Sequence, residues 1–141
     1  MREIRFRGKR IDNGELACGH LCYMENEPAI ITGYVKQTDG SLFHCNTFYF
    51  IIPETVGQYT GLKDKNGREI YEGDIVYIKH PEEIEGSIHQ VIYCGLDNYP
   101  AFDLKPLIDT DCNGLSYALA VCEIEVIGNI HDNPELLEAS V

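Results

Sequence analysis

Four dipeptides, Asn13-Gly14, Asp39-Gly40, Asn66-Gly67 and Asn113-Gly114, set the terms on which this chain can fold. Asn, Asp and Gly enter the left-handed backbone region at little cost, so such pairs favour the tight turns that join antiparallel strands. Between and beyond them run segments rich in aromatic and β-branched residues, at 3–11, 15–24, 29–37, 41–52, 68–79, 88–95 and 119–130. Each predicts a strand. Ile4 and Phe6 alternate with Arg5 and Arg7, which predicts an apolar face backed by a cationic one. The stretches 48–52 and 75–78 are apolar at every position and predict interior strands.

Helical signal is confined to the end of the chain, where Asn133 can cap a turn opened by Pro134 and continued by Glu135-Leu136-Leu137-Glu138. Residues 53–56 and 81–85 each allow a helical turn or a loop. A bent pair of strands through Tyr59-Thr60-Gly61-Leu62 and Glu69-Ile70-Tyr71-Glu72-Gly73-Asp74-Ile75 turns at glycine. That is how a short chain closes a small barrel and hides its edges. The expected fold is mainly β: an N-terminal antiparallel meander over 1–54, packed with an SH3-like barrel over 55–141 that ends in one short helix. The division at 54/55 is a soft one within a compact unit.

The chain has 141 residues, the size of one domain, and no apolar run approaches the ~20 residues of a membrane helix. Residues 1–7 alternate charge with apolar side chains and lack the apolar centre of a secretory signal, so a cytoplasmic location is expected. The net charge is −12. Such a field repels phosphate backbones, and direct nucleic-acid binding is not expected. Arg2, Arg5, Arg7, Lys9 and Arg10 against Glu3 make residues 1–10 carry +4, while the remainder carries −16. A cationic strand on an anionic body suits docking between copies of the chain, and these five residues form a candidate interaction stripe. Ordinary protection of a sheet edge by charge accounts for them equally well.

The six cysteines, Cys18, Cys22, Cys45, Cys94, Cys112 and Cys122, are expected to be free thiols in a reducing compartment. Cys18-x-His20-x-Cys22 has the composition of a metal cluster. In a strand, however, alternate side chains on one face stand ~6.6 Å apart, which separates the two thiols by ~13 Å. Both cannot reach the ~2.3 Å that zinc requires unless the strand bends sharply. His44 and Cys45 are adjacent strand residues pointing to opposite faces, so they do not form a thiol–imidazole pair. Asp74 beside Glu72 offers two carboxylates for a proton or a cation, but an Asp following Gly at a strand entry ordinarily accepts backbone hydrogen bonds. His131-Asp132 suits a helix-start turn. The segment 109–114 lacks the terminal Glu of a calcium loop. No phosphate loop, HExxH, GxSxG or paired CxxC is present.

Across Thr55-Val56-Gly57-Gln58-Tyr59-Thr60-Gly61-Leu62-Lys63-Asp64-Lys65-Asn66-Gly67 and Ile70-Tyr71-Glu72-Gly73-Asp74-Ile75-Val76 the chain resembles the YopX family of phage and prophage proteins. The opening Arg5-Phe6-Arg7-Gly8-Lys9 and the closing Glu125-Val126-Ile127-Gly128-Asn129-Ile130-His131-Asp132-Asn133-Pro134-Glu135-Leu136-Leu137 share that likeness, so it extends over nearly the whole chain. The resemblance implies a mostly β fold in phage-derived genes of bacteria, without catalytic residues to transfer. The expected function is a non-enzymatic assembly or interaction protein, with partners that include itself. The rival expectations are an acidic decoy mimicking nucleic acid and a small metal-dependent enzyme. No catalytic, cofactor or metal residue is assigned.

Overall fold

A computed structural model describes residues 4–36, 43–93, 102–105 and 114–138. It is mainly β, with antiparallel sheets and two short helices. The chain divides into two compact units, Met1–Tyr59 and Thr60–Val141.

The first unit holds β1 (Phe6–Lys9), β2 (Leu16–Met24), β3 (Glu27–Lys36), β4 (Phe43–Phe50), a 3₁₀ turn (Pro53–Thr55) and the first half of β5 (Gly57–Lys63). The strands lie in the order β4-β3-β2-β1-β5. Asn13-Gly14 makes the β1–β2 turn as its composition predicts: Gly14 has φ 73° and its N–H donates to the Arg10 carbonyl. The β2–β3 turn uses Glu25 and Asn26, both at positive φ, a two-residue connection the sequence does not announce because it contains no glycine. After β4 the chain is caught from two sides. The Ile51 N–H donates to Pro28 in β3, Ile52 N–H donates to Lys9 in β1, and Arg10 pairs antiparallel with Ile51. The resulting curl surrounds a small core of Ala17, Ile30 and Ile51, with Phe6, Leu21, Tyr49 and Val56 packed around it. Thr55 fastens the 3₁₀ turn to β1, accepting the Lys9 N–H at 2.8 Å and donating to the Ile52 carbonyl at 2.6 Å.

Two expectations fail in this unit. Ile4 is 62% exposed while Arg7, inside a strand flanked by β2 and β5, is only 7% exposed. The stretch 48–52 is not interior throughout. β4 ends the order of described strands, and Phe48 and Phe50 point to solvent while Ile51 is fully buried.

The second unit holds the rest of β5 beside β6 (Glu69–Tyr71), then β7 (Asp74–Lys79), β8 (Ser87–Tyr93), β9 (Phe102–Lys105), α1 (Gly114–Val121), β10 (Glu123–Asn129) and α2 (Glu135–Glu138). Its four-stranded sheet has the order β10-β7-β8-β9, which makes β7 the interior strand expected from Ile75–Ile78. Ile70, Val76, Ile78, Val91, Phe102, Leu104, Leu115, Ala118, Ile124 and Val126 form one buried cluster. α1 corrects the expectation of a strand from Leu119 and of a single terminal helix. Leu115, Ala118, Leu119 and Cys122 recur at the i, i+3, i+4, i+7 spacing of a helix face and pack on that cluster. Burial, with a lesser push from Glu83, raises the Cys122 thiol above its ordinary range, so it behaves as a small apolar group there.

Carboxylates tie the turns of this unit. Asp64 accepts the N–H groups of Asn66, Arg68 and Val126, each at 2.9 Å. Burial opposes its ionisation, but those three donors and the Arg68 charge outweigh it and hold the carboxyl below its ordinary range. Gly73 turns the chain at φ 93°, and buried Asp74 accepts the Tyr71 N–H at 2.8 Å. The structural role expected for Asp74 is the one it plays.

Candidate binding groove

The exposed end of the first unit carries a groove of about 400 Å³ lined by Ile11, Asp12, Glu27, Phe48, Tyr49 and Phe50. Register explains how these residues meet. Ala29 pairs with Phe50 and Ile31 with Phe48, and Glu27 shares the face of Ala29 and Ile31 by strand alternation. Glu27, Phe48 and Phe50 therefore stand on one side of the sheet. The Ile11 N–H donates to the Phe50 carbonyl at 3.0 Å and brings Ile11 and Asp12 to the same end. Phe48 and Phe50 are 41% and 39% exposed, and their rings meet edge to face at 5.6 Å and 88°. Tyr49, on the opposite side of the strand, packs against the small core.

A cation sits against Tyr49. The Arg10 guanidinium lies 3.7 Å from the centre of the Tyr49 ring, and its Nε and Nη2 donate to the two oxygens of Asp12 at 2.9 and 2.7 Å. The fork-shaped bond to Arg10 is the main reason the Asp12 carboxyl lies below its ordinary range and the guanidinium above its own.

The basic stripe occupies dissimilar environments. Arg2 lies outside the described residues. Arg5 stacks over Tyr59 at 4.8 Å, Arg7 is buried opposite its strand partners Cys18 and Gly57, Lys9 is half-buried, and Arg10 is held by Tyr49 and Asp12. The structure does not bring the other sequence candidates together into a site. Cys18 is exposed and Cys22 half-buried on one face of the extended β2, and neither is in a disulfide. His44 and Cys45 are described only by backbone register, opposite Val35 and Tyr34. Residues 109–113 lie outside the described set. His131 and Asp132 belong to a turn organised by Asn129, whose side-chain oxygen accepts both of their N–H groups. The Asn133 side chain bonds back to the Asn129 N–H at 3.3 Å, so it serves β10, while its carbonyl accepts the Leu136 N–H of α2. Among the described residues no group of three or more His, Cys, Asp or Glu is placed to hold a metal ion, and no helix is long and apolar enough to cross a membrane.

Reasoning from sequence missed the groove. Its aromatic residues read as core, and nothing in the local pattern of 48–50 tells a covered strand from one at the end of a sheet. The Arg10-x-Asp12 pair flanking a turn is the one available signal.

The fold defines a small, mainly β protein with an aromatic groove on its first unit and turns tied by side-chain hydrogen bonds in its second. The chain belongs to the YopX family: the family model YopX protein matches residues 5–138. Among solved structures, a crystal structure of protein EF1440 from Enterococcus faecalis is similar, at 28% identity and a TM-score of 0.66, covering 97% of this chain and 99% of that one. None of the curated proteins matches.

Proposed function

We propose that the chain is a non-enzymatic interaction protein of phage or prophage origin, acting inside the bacterial cell, with partners that include a second copy of itself. The observation that carries this reading is the pair Phe48 and Phe50, two large apolar side chains side by side in solvent at the end strand of the first unit. Scattered exposed hydrophobics are ordinary, but adjacent aromatics lining a groove mark contact surfaces. An end strand also offers backbone groups to another chain, and β4 contains no Lys, Arg, Asp, Glu or Pro to discourage pairing. The strong net negative charge favours partners that bear positive charge.

Light scattering over a dilution series at low and high salt tests self-association. A concentration-dependent dimer or larger species is expected. Persistence at high salt would assign the contact to apolar groups, and loss at high salt would assign it to the charge asymmetry. A monomer at every concentration and ionic strength overturns the self-association.

A further inference from the structure

We propose that the groove beside β4 is a recognition site for a cationic side chain, an arginine or lysine on an extended segment of a partner protein. The inference rests on the reading of the chain as an interaction module and specifies what that surface takes. Its template is the chain's own Arg10, held between the Tyr49 ring and the Asp12 carboxylate. An aromatic face attracts a cation through its quadrupole, and a carboxylate fixes the cation by charge and hydrogen bonds.

On the other side of β4 the groove presents the same two kinds of component, with no Arg or Lys among its described lining residues. Phe48 and Phe50 supply the rings, and the exposed carboxylate of Glu27 stands on their face of the sheet. Their edge-to-face packing leaves one ring face turned away from the other ring. Ile11 supplies an apolar wall against which the methylene stem of a long side chain can lie. A purely apolar occupant would desolvate the exposed Glu27 carboxylate without giving it a partner. An anionic occupant would meet the Glu27 carboxylate and the net −12 of the whole molecule. Charge complementarity therefore selects a basic segment.

The test uses the full-length chain, ¹⁵N-labelled, titrated with three peptides of one length: Ac-Leu-Arg-Leu-Arg-Leu-NH₂, its citrulline counterpart and its glutamate counterpart. Citrulline keeps the shape of arginine and removes the charge. Saturable shifts at Glu27, Phe48 and Phe50 are expected with the arginine peptide, with about threefold or weaker binding of the citrulline peptide and none of the glutamate peptide. Glu27→Gln is expected to weaken the arginine peptide by about threefold. The double substitution Phe48→Leu/Phe50→Leu, which keeps apolar bulk and removes the rings, should weaken it by about two- to fivefold. Equal affinity for arginine and citrulline, shifts mapping elsewhere, or no shift at millimolar peptide overturns the proposal. A self-associating chain that ignores the arginine peptide defeats only this inference. A monomer that binds the peptide defeats only the self-association.

Discussion

The two units leave different shares of their described aromatic residues in solvent, although the first also buries Tyr59 and the second also exposes Tyr93. In the second, Tyr71 and Phe102 are buried and Phe102 joins a cluster closed by α1. In the first, Tyr23, Phe48 and Phe50 are exposed, and the fully buried side chains are small or branched aliphatics around a modest core. Burying a large apolar side chain contributes about 1.5–3 kcal/mol, so a unit that leaves such residues in water gives up stability where another unit gains it. On the proposed function, the second unit supplies rigidity and the first supplies recognition.

The largest expected effect tests the rigid side of that contrast. Leu104→Ala removes a fully buried side chain from the middle of the second unit's cluster and should cost about 2–5 kcal/mol in urea denaturation. A cost under 1 kcal/mol would erase the distinction between the units. Next is Asp64→Ala, which strips three backbone donors of their acceptor and should cost about 1–3 kcal/mol. The same carboxylate sets an acid limit. Its folded-state pKa is below the ordinary 3.8, so the unfolded chain binds the proton more readily. The contribution is complete above that value and disappears as pH falls through the lower folded value. Asp64→Asn should flatten this part of the stability profile, and an unchanged acid slope would contradict the assignment.

Gly19→Ala sharpens the picture of the first unit. A methyl there would run into the Ile31 carbonyl oxygen of the neighbouring strand, and a loss of about 1–3 kcal/mol is expected from overpacking. A neutral result, checked by thermal melting, would mean that this sheet yields easily. Phe48→Ala should be the smallest effect, within about 0.5 kcal/mol of the parent, because the ring is solvated.

Much of the fold was legible because strand alternation and turn chemistry are local. Asn13-Gly14 and Asn66-Gly67 turn as their composition predicts, with both glycines at positive φ, and β7 is interior as its unbroken apolar run implies. Where local pattern is ambiguous, tertiary contacts decided. Leu119 to Cys122 is apolar in either geometry, and the helix won because Leu115 and Ala118 needed the same face as Leu119 and Cys122 to cover the sheet. Phe48 to Ile52 reads the same whether covered or bare, and only strand order leaves its phenylalanines in solvent. The groove was invisible for a related reason. Glu27, Asp12 and the two phenylalanines come from three segments that only the β3–β4 register and the Ile11–Phe50 hydrogen bond bring together.

The most direct test of the contrast pairs two readouts on one variant, Phe48→Ser/Phe50→Ser: the thermal midpoint and the mass by light scattering as a function of concentration. The account predicts a midpoint within about 3 °C of the parent together with loss of self-association. A large fall in midpoint with association intact would show that these rings hold the fold together and that recognition lies elsewhere.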